Sequence, residues 1–522
     1  MKIKKTKKVP TRSARSSKST PHGQRPREIR KILVANRGEI AVRVLRTARE
    51  MGIGTVAVYS EADKNAFHRL AADESICIGP AESQKSYLCM ESILEAARKT
   101  KADSIHPGYG FLSENSRFAE EVQKAQLLFI GPSSEIIKKM GDKVVARKTV
   151  EAFGVPTAPG TGALASVAEA LREVEQLLKK RKEFRFPLLI KAAGGGGGKG
   201  MRIVRKSSEL KDNLERARSE SLKAFNNPII FVERYIEKPR HIEVQVLGDG
   251  HKILHLFERE CSLQRRHQKV VEEALSPSLA PEVRLKILKA AVNAAESVHY
   301  QSAGTVEFIV SEQDEFFFLE MNTRIQVEHP VTEWITGLDL IRAQIEIARG
   351  ESLRVDQESV SVNGHAIEVR LYAEDAEEGF LPQPGKLSYL KFPHWTGVRV
   401  DSAVQSPCEI SSYYDPMIAK ISAWAPSRKE TISRLSLFLQ ETQIEGLITN
   451  KAFLLQILGS EFFKRGQYHT QVLESVGWQK NEQPSAQTLA AFCLKDFLES
   501  RLDFEDRKLS AWQEALCVGD SN

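Results

Sequence analysis

The stretch that decides the fold is Phe316-Phe317-Phe318-Leu319-Glu320-Met321-Asn322-Thr323-Arg324-Ile325-Gln326-Val327-Glu328-His329-Pro330. Its aromatic start favours a β-strand, whose side chains alternate between two faces. A second apolar run, residues 305–310, lies upstream, and the polar residues 311–315 separate the two runs. The pattern predicts an antiparallel hairpin with a short loop. On an uninterrupted second strand, one face would carry Phe316, Phe318, Glu320, Asn322 and Arg324.

The predicted hairpin opposes two carboxylates. A turn centred at Gln313 and Asp314 pairs Glu307 with Glu320, and like charges directly opposite each other are destabilising. A hard divalent cation between them, with Asn322 as a neighbouring oxygen ligand, would remove the repulsion. A register slip of one residue would move Glu307 to the other face. An exposed acidic hairpin face therefore stays open as the alternative.

Length and composition indicate a globular protein of several domains. The 522 residues are enough for several cores, and no apolar run is long enough to span a bilayer or to form a signal peptide. The six cysteines are scattered without a CxxC pair. Such cysteines suit a reducing compartment, which predicts a cytoplasmic protein without a zinc site or a disulfide framework.

The positive charge is concentrated at the N-terminus. The net charge is +7, and ten Lys and Arg residues precede the first acidic residue, Glu28. Residues 1–28 are therefore predicted to be a disordered basic tail. A nucleic-acid arm and an organelle transit peptide both stay open, with transit the less favoured because the tail is rich in Lys and has no clear amphipathic helix.

The N-terminal segment predicts a βαβ unit. A strand over 31–35, a helix over 39–51 and a strand over 54–59 favour a parallel, doubly wound sheet. The segment lacks GxGxxG, so a dinucleotide site is not supported. The Pro- and Gly-containing stretch 105–115 is predicted to be a loop after a strand, and such loops border ligand crevices in open α/β sheets.

A run of five glycines follows the next apolar strand. Residues 186–193 lead into Gly194–Gly198, with Lys191 and Lys199 on either side. Glycine lets backbone N–H groups approach phosphate oxygens, and the two lysines add positive charge. The run does not match a Walker A loop, so a phosphate lid is favoured over a flexible linker.

Further strands carry polar side chains on one face. Residues 241–247 place His241, Glu243 and Gln245 together, and residues 364–372 do the same for Glu368, Arg370 and Tyr372. The cationic run 260–269 would alone suggest a solvated surface. A helix is predicted from Val331 to about Arg349, a linker at 479–484 and an amphipathic helix at 488–502.

Together these motifs resemble the biotin carboxylase subunit of bacterial acyl-CoA carboxylases, in the ATP-grasp superfamily. The resemblance covers roughly residues 29–476. Its motifs are Asn36-Arg37-Gly38-Glu39-Ile40-Ala41, His106-Pro107-Gly108-Tyr109-Gly110-Phe111-Leu112-Ser113-Glu114-Asn115, the glycine run, Gln264-Arg265-Arg266-His267-Gln268-Lys269 and residues 320–330.

The resemblance implies a mixed α/β and α+β fold. A doubly wound, Rossmann-like N-terminal domain at 29–142 would follow the tail at 1–28. An ATP-grasp domain at 143–333, with a glycine-rich lid at about 143–232, would follow, then a C-terminal α+β lobe at 334–476. A linker and helical extension would occupy 477–522.

The resemblance also implies roles for individual residues. Glu328 would be the base that deprotonates bicarbonate, and Arg370 would bind biotin and steady its enolate. The metal ligands would be Glu307, Glu320 and Asn322. The bicarbonate site would contain Lys269, Arg324, Gln326 and Val327, of which Lys269 and Arg324 would also be catalytic. The ATP site would contain Lys143, Lys191, Gly195, Gly196, Gly197, Gly198, Glu233, Ile236, His241, Gln264, His267, Glu307 and Glu320.

The implied reaction is ATP-dependent carboxylation of biotin by bicarbonate through carboxyphosphate. ATP, Mg²⁺ or Mn²⁺ (two ions) and biotin on a separate carrier protein would take part. No Met-Lys-Met biotinylation site and no carboxyltransferase domain occur in the sequence, so a biotin carboxyl carrier protein and carboxyltransferase subunits are the expected partners. A homodimer is expected, and neither a membrane nor nucleic acid is expected as a partner.

Alternatives concern the substrate and the family. Acetyl-CoA carboxylation for fatty-acid synthesis is the default by analogy. A propionyl-CoA or other acyl-CoA carboxylase, or a different ATP-grasp ligase, stays open. One departure from the family pattern is Ser133, where a Lys usually follows Gly-Pro, and Lys138 is the alternative cation.

Overall fold

The structure is a computed structural model that describes residues 27–192, 201–225, 227–266, 268–476 and 494. Residues 1–476 form one unit and residues 477–522 a second, of which only Leu494 is described, in helical conformation. The predicted basic tail up to residue 26, the glycine run and the predicted helix at 488–502, Leu494 apart, lie outside the described residues.

The N-terminal segment folds into a five-stranded parallel sheet in the order β3-β2-β1-β4-β5. Its strands are β1 (Lys31–Val34), β2 (Gly54–Tyr59), β3 (Glu74–Cys77), β4 (Ser104–His106) and β5 (Leu128–Phe129). Its helices are α1 (Gly38–Glu50), α2 (Phe67–Leu70), α3 (Met90–Thr100) and α4 (Ser116–Lys124). The predicted βαβ unit and doubly wound sheet are confirmed.

A small three-stranded antiparallel sheet, β7-β6-β8, follows. The segment contains α5 (Ser134–Gly141), α6 (Lys143–Glu151), α7 (Val167–Lys180), β6 (Leu188–Ala192), β7 (Arg202–Val204), α8 (Leu210–Phe225) and β8 (Ile230–Arg234). The glycine run lies between β6 and β7 in the sequence, so the strand predicted before it is confirmed.

An eight-stranded sheet forms the centre of the molecule, in the order β13-β12-β9-β10-β11-β14-β21-β19. It begins with β9 (Arg240–Asp249), β10 (Ile253–Arg265), β11 (Gln268–Ala274), α9 (Pro281–Glu296), β12 (Gln301–Val310) and β13 (Phe316–Asn322). Two helices, α10 (His329–Thr336) and α11 (Leu340–Ala348), lead to β14 (His365–Tyr372). Because β14 pairs with β11, the C-terminal segment extends this sheet across the predicted boundary at 333/334.

The remaining elements surround the last strands of the central sheet. They are β15 (Glu374–Asp375), β16 (Leu381–Pro382), β17 (Gly385–Leu387), β18 (Tyr389–Lys391), β19 (Val398–Ser402), β20 (Cys408–Ile410), β21 (Met417–Ala425), α12 (Arg428–Glu441), β22 (Gln443–Glu445), α13 (Lys451–Gly459), α14 (Glu461–Lys464) and α15 (Val472–Ser475). The pairs β15–β16, β17–β20 and β18–β22 form two-stranded sheets.

The hairpin of β12 and β13 has the predicted pairing of Glu307 with Glu320, but a bulge interrupts it. Phe308 pairs with Phe318, so Leu319 is the extra residue between the two pairs. An extra residue reverses the alternation of side chains beyond it. The prediction that Phe316, Phe318, Glu320, Asn322 and Arg324 share one face is therefore wrong: Phe316 and Phe318 pack in the core, whereas Glu320, Asn322 and Arg324 line a cavity.

The predicted single helix from Val331 to about Arg349 is also wrong. Gly337 takes a left-handed conformation with φ +71° and ends α10, as glycine does at helix ends. Asp339 then begins α11 by accepting a hydrogen bond from the Arg342 backbone N–H at 2.9 Å. The break lets α10 and α11 pack on different neighbours: α10 contacts β14 and β10, and α11 contacts β12 and α1.

Apolar packing connects the N-terminal sheet to the central sheet. Ile40, Val44 and Leu45 of α1 share one core cluster with Leu254 of β10 and Ile341 of α11. This burial fixes the loops that follow β1 and β4 against the segment that leaves β13. Among the described residues, no helix combines the length and the apolar character that a membrane span requires.

Candidate functional site

A cavity of about 440 Å³ opens along the central sheet, beside β12 and β13. It brings together predicted residues from the small sheet, the central sheet and the segment after β13. Of the predicted site residues, it is lined by Lys143, Lys191, His241, Gln264, Lys269, Glu307, Glu320, Asn322, Arg324, Gln326, Val327, Glu328 and Arg370.

Other predicted residues lie elsewhere. Glu233 is buried and forms an ion pair with Lys191, so it acts on the cavity through that lysine. Ile236 packs with Ala158 and Phe317 in a small apolar cluster rather than in the cavity lining. The predicted ATP-site residues Gly195, Gly196, Gly197, Gly198 and His267 lie outside the described residues.

One end of the cavity carries the opposed carboxylates, and we call it the hairpin end (Lys143, Glu307, Glu320 and Asn322). The Glu320 carboxylate lies 3.4 Å from the Lys143 ammonium, and its side chain is 38% exposed. Glu307 is buried and its carboxylate lies 3.0 Å from His241 Nε2. Burial raises the pKa of Glu307, but Lys269 and His241 outweigh it and hold that pKa well below its usual range. Glu307 is therefore available as an anion at neutral pH.

The hairpin end fits a hard divalent cation. Glu307 and Glu320 are directly paired across the strands and line the same cavity, which supplies charged oxygen donors from two sides. The Asn322 amide nitrogen donates to Glu307 Oε1 at 2.8 Å, while its oxygen accepts from Arg324 Nη2 at 3.1 Å. The Asn322 oxygen would become available to a cation between the carboxylates only after the side-chain amide flipped.

A second group of metal-ligating atoms lies nearby, on His241, Glu243 and Glu307. The Lys269 ammonium already donates to Glu243 at 2.5 Å and to Glu307 at 3.1 Å. A cation at this place would have to compete with that fixed positive charge. The pair Glu307 and Glu320 is therefore the better metal site.

The other end, which we call the base end, is centred on Glu328 (with Lys269, Arg370 and Tyr372). Glu328 Oε1 accepts from Lys269 Nζ at 2.7 Å, and Glu328 Oε2 accepts from Arg370 Nη2 at 3.0 Å. Burial raises the pKa of Glu328, but Lys269, Arg370 and Arg259 outweigh it and hold that pKa well below its usual range. Glu328 is therefore ionised at neutral pH and able to accept a proton.

Lys269 connects the two ends. Its ammonium contacts Glu243, Glu307 and Glu328, three carboxylates that are far apart in the sequence. Burial lowers the pKa of Lys269, but these carboxylates outweigh it and raise that pKa well above its usual value. The site thus keeps a permanent positive charge between the metal ligands and the base.

The segment after β13 is fixed by charged contacts. Arg324 Nε donates to Glu114 Oε2 at 2.8 Å, which ties the segment to the loop after β4. The Val327 carbonyl accepts from Lys420 Nζ of β21 at 2.6 Å. Gln326 Nε2 donates to Glu307 Oε1 at 2.9 Å. The predicted bicarbonate residues therefore line the cavity from a segment whose position is fixed by contacts to the loop after β4, to β12 and to β21.

Arg259 supports the site and was not predicted. It is fully buried and donates to Glu243 at 2.5 Å, to Gln245 at 2.7 Å and to Gln326 at 2.9 Å. Its only sequence signal is the charged run Glu258-Arg259-Glu260 within β10. The cavity is also lined by residues beyond the predicted set, namely Ala192, Met201, Phe231, Gln268, Leu319, Tyr372 and Asp415.

Ser133 has a local role in this structure. Its hydroxyl accepts a hydrogen bond from the Ile136 backbone N–H at 3.4 Å and caps α5. Lys138, the alternative cation, is exposed on α5, and neither residue is among the described residues that line the cavity.

The arrangement suits transfer chemistry between anions. Cations from Lys143, Lys191, Lys269, Arg324 and Arg370 converge on one cavity and can stabilise negative charge on bound phosphate or carboxylate groups. The ionised Glu328, bound to the same lysine as Glu307, supplies a base.

Three family models match almost the whole of the described unit. They are "Biotin carboxylase, N-terminal domain" at residues 28–137, "Carbamoyl-phosphate synthase L chain, ATP binding domain" at 142–356 and "Biotin carboxylase C-terminal domain" at 368–475.

Two curated relatives differ in the share of their own length that this chain covers. Biotin carboxylase 2 of Bacillus subtilis is 48% identical over 445 residues, which are 85% of this chain and 99% of that protein. The mitochondrial methylcrotonoyl-CoA carboxylase subunit alpha of Mus musculus is 47% identical over 474 residues, which are 90% of this chain and 64% of that protein. The chain thus spans less than two thirds of that mitochondrial subunit.

Solved structures share the fold. The complex of the Campylobacter jejuni biotin carboxylase with β,γ-ATP matches with a TM-score of 0.82 at 43% identity, over 86% of this chain and 99% of that one. The biotin carboxylase domain dimer of the Hydrogenobacter thermophilus 2-oxoglutarate carboxylase, in complex with MgADP, ADP and bicarbonate, matches with a TM-score of 0.80 at 44% identity, over 86% and 98% of the two chains.

Proposed function

The chain belongs to the biotin carboxylase family of ATP-grasp ligases, and on that premise we propose that it carboxylates biotin on a separate carrier protein. ATP and bicarbonate are the other substrates, and the reaction is the first half-reaction of an acyl-CoA carboxylase. The observation that carries the proposal is the position of Glu328 between Lys269 and Arg370, in one cavity with the Glu307–Glu320 pair.

The hairpin end is proposed to hold ATP and its metal. Glu307 and Glu320 would bind Mg²⁺ or Mn²⁺, with Asn322 as a further ligand. A bound divalent cation neutralises phosphate charge and polarises the group in transfer. Lys143 and Lys191, from α6 and β6, would contact the phosphates, and Glu233 keeps the Lys191 ammonium in position.

The base end is proposed to activate bicarbonate. Arg324 can present two parallel N–H donors to a carboxylate-shaped anion, and Gln326 and the Val327 backbone would complete its site. Glu328, ionised at neutral pH, would take the bicarbonate proton while Lys269 stabilises the negative charge that develops. Arg370 would then face the biotin ureido group and stabilise its enolate.

We further propose a cytoplasmic protein that works as a homodimer with a biotin carboxyl carrier protein and carboxyltransferase subunits. The scattered cysteines support the reducing compartment, and the Hydrogenobacter thermophilus domain is described as a dimer. Acetyl-CoA is the default acyl substrate. The 47% identity to a methylcrotonoyl-CoA carboxylase subunit favours a branched acyl-CoA as the second candidate.

The test compares acceptors. Free biotin loses translational freedom at each encounter, whereas a tethered biotin meets the site at a high effective concentration. We expect bicarbonate-dependent ADP release and faster carboxylation of a biotinylated carrier from the same cell than of free biotin at equal concentration. A carrier that is no better than free biotin, or biotin found on this chain by mass spectrometry, would overturn the proposal of a separate carrier.

A further inference from the structure

Two buried glutamates lie directly behind Arg370 and have no part in the site described so far. Glu272 of β11 and Glu368 of β14 are paired across the two strands, and both are fully buried. Glu368 lies two residues before Arg370 on the same strand and therefore on the same face. The pair thus faces the base end of the cavity from inside the sheet.

The two carboxylates have few donors. Glu272 forms an ion pair with Arg370 Nη2, the same nitrogen that donates to Glu328. Within the described part of the chain, neither oxygen of Glu368 accepts a hydrogen bond. An ionised carboxylate without donors is costly to bury, so such a group takes up a proton instead.

The cation that the neighbouring strand places near Glu368 is bound to other groups. On β21, Ser422 pairs with Glu368 and Lys420 with Arg370. The Lys420 ammonium donates to the Val327 carbonyl at 2.6 Å and lies 3.3 Å from Glu39. The Ser422 hydroxyl accepts from Trp334 Nε1 at 2.9 Å.

The charged groups at the start of α10 are also engaged elsewhere. Glu328 is held by Lys269 and Arg370. His329 Nδ1 lies 2.8 Å from the Gln326 carbonyl. Glu333 forms ion pairs with Arg43 and Arg399. Among the neighbouring carboxylates, Glu272 acts most strongly on Glu368, and the charge of Lys420 opposes it.

The pKa shifts of Glu272 and Glu368 agree with this geometry. Burial raises the pKa of Glu272 to about 7, and the charge of Glu328 adds to the effect while Arg370 opposes it. Burial and the charge of Glu272 raise the pKa of Glu368 well above its usual value, against Lys420 and Arg370. When two carboxyls share a site, one of them keeps its proton.

We propose that Glu272 is a positioning residue that holds Arg370 at the base end, and that Glu368 stays protonated so that at most one negative charge stands behind Arg370. The proposal rests on the proposed role of Arg370 toward biotin. With Glu368 neutral, Arg370 is shared between Glu272 and Glu328. An ionised Glu368 would add a third carboxylate that draws the guanidinium away from the cavity.

The first experiment replaces Glu272 by Gln. Since a charged contact to Arg370 is lost, we expect biotin carboxylation to fall about tenfold more than bicarbonate-dependent ATP cleavage. The matched control is Glu273→Gln, the next residue, which is buried on the opposite face and bonded to His365, Arg428 and Tyr468. Its loss should lower thermal stability and both activities together. An equal loss of both activities in Glu272→Gln, as in the control, would overturn the positioning role.

The second experiment measures the proton itself and needs no activity. The infrared difference spectrum of wild type minus Glu368→Gln at pH 8 should contain the C=O band of a protonated buried carboxyl, because Glu272, with a pKa of about 7, is mostly ionised at that pH and is present in both proteins. If this difference band is absent at pH 8, the protonated Glu368 is refuted. If the infrared band is seen but Arg370→Ala lowers biotin carboxylation and ATP cleavage equally, the proposed role of Arg370 is wrong while the protonation of Glu368 stands.

The third readout is the pH dependence of stability. A carboxyl whose pKa rises on folding favours the folded state below its unfolded pKa, and this contribution is lost as pH rises toward the folded pKa. Glu368→Gln has no such proton to lose. Its Tm relative to wild type should therefore increase steadily from about pH 5 to about pH 8. A difference that is constant or that decreases over this range would contradict a protonated Glu368.

Discussion

Glu320 and Glu328 lie on one continuous stretch and line one cavity, but their surroundings differ. The Glu320 side chain is 38% exposed and lies 3.4 Å from Lys143. The Glu328 side chain is 2% exposed and is held by Lys269 and Arg370. The hairpin end thus presents a carboxylate that can receive a cation from solution, whereas the base end neutralises its carboxylate with fixed side chains. We infer that the two ends will respond differently to the same Glu→Gln change.

The largest effect is expected at the base end. Glu328→Gln keeps the size of the side chain but cannot accept a proton, so bicarbonate-dependent ATP cleavage should fall by about 10²–10⁴-fold. ATP affinity, measured by calorimetry with a non-hydrolysable analogue, should stay within a few-fold of wild type. A loss of cleavage smaller than tenfold would mean that another group is the base. The proposed difference between the hairpin end and the base end would then be wrong.

Glu320→Gln should act through the metal instead. It removes one charged oxygen ligand, and we expect turnover at limiting Mg²⁺ to fall by about 100-fold, the upper range seen when metal sites lose supporting groups. Raising the Mg²⁺ concentration should restore part of the activity, whereas it should not rescue Glu328→Gln. Wild-type turnover of Glu320→Gln at ordinary Mg²⁺ would rule out Glu320 as a metal ligand.

The smallest effect is expected for Arg370→Ala, which should distinguish biotin carboxylation from ATP cleavage at the base end. Because Arg370 is proposed to act on biotin and not on phosphoryl transfer, Arg370→Ala should lower carboxylation about tenfold more than ATP cleavage, the range for a lost charged hydrogen bond. Both rates can be followed in one reaction, as ADP release and as labelled carboxybiotin. Parallel losses would indicate that Arg370 serves the bicarbonate site or the fold.

The local pattern of the sequence was sufficient for several elements. The apolar runs on either side of residues 311–315 predicted the hairpin, and the loop length predicted the pairing of Glu307 with Glu320, which the structure confirms. The βαβ unit at the N-terminus followed equally from apolar periodicity. Such features depend on residues close in sequence, whose spacing fixes which face each side chain takes.

Other features depended on contacts that no local pattern contains. The bulge at Leu319 turns Phe316 and Phe318 into the core while Glu320 and Asn322 line the cavity, and strict alternation could not predict it. The break at Gly337 separates two helices that pack on different strands. At Leu319 and at Gly337 a single residue changes the course of the chain. The change occurs there because the segments on either side pack against different parts of the molecule.

The sequence by itself determined which chemical groups this protein has and which strands and helices carry most of them. Only the tertiary structure decided which groups meet: Lys269 contacts carboxylates at positions 243, 307 and 328, and Glu272 rather than Glu273 lies behind Arg370. The physical reason is that burial and charge pairing act between strands distant in sequence. They give neighbouring glutamates opposite pKa shifts, raised for Glu272 by burial and lowered for Glu273, where His365 and Arg428 outweigh burial.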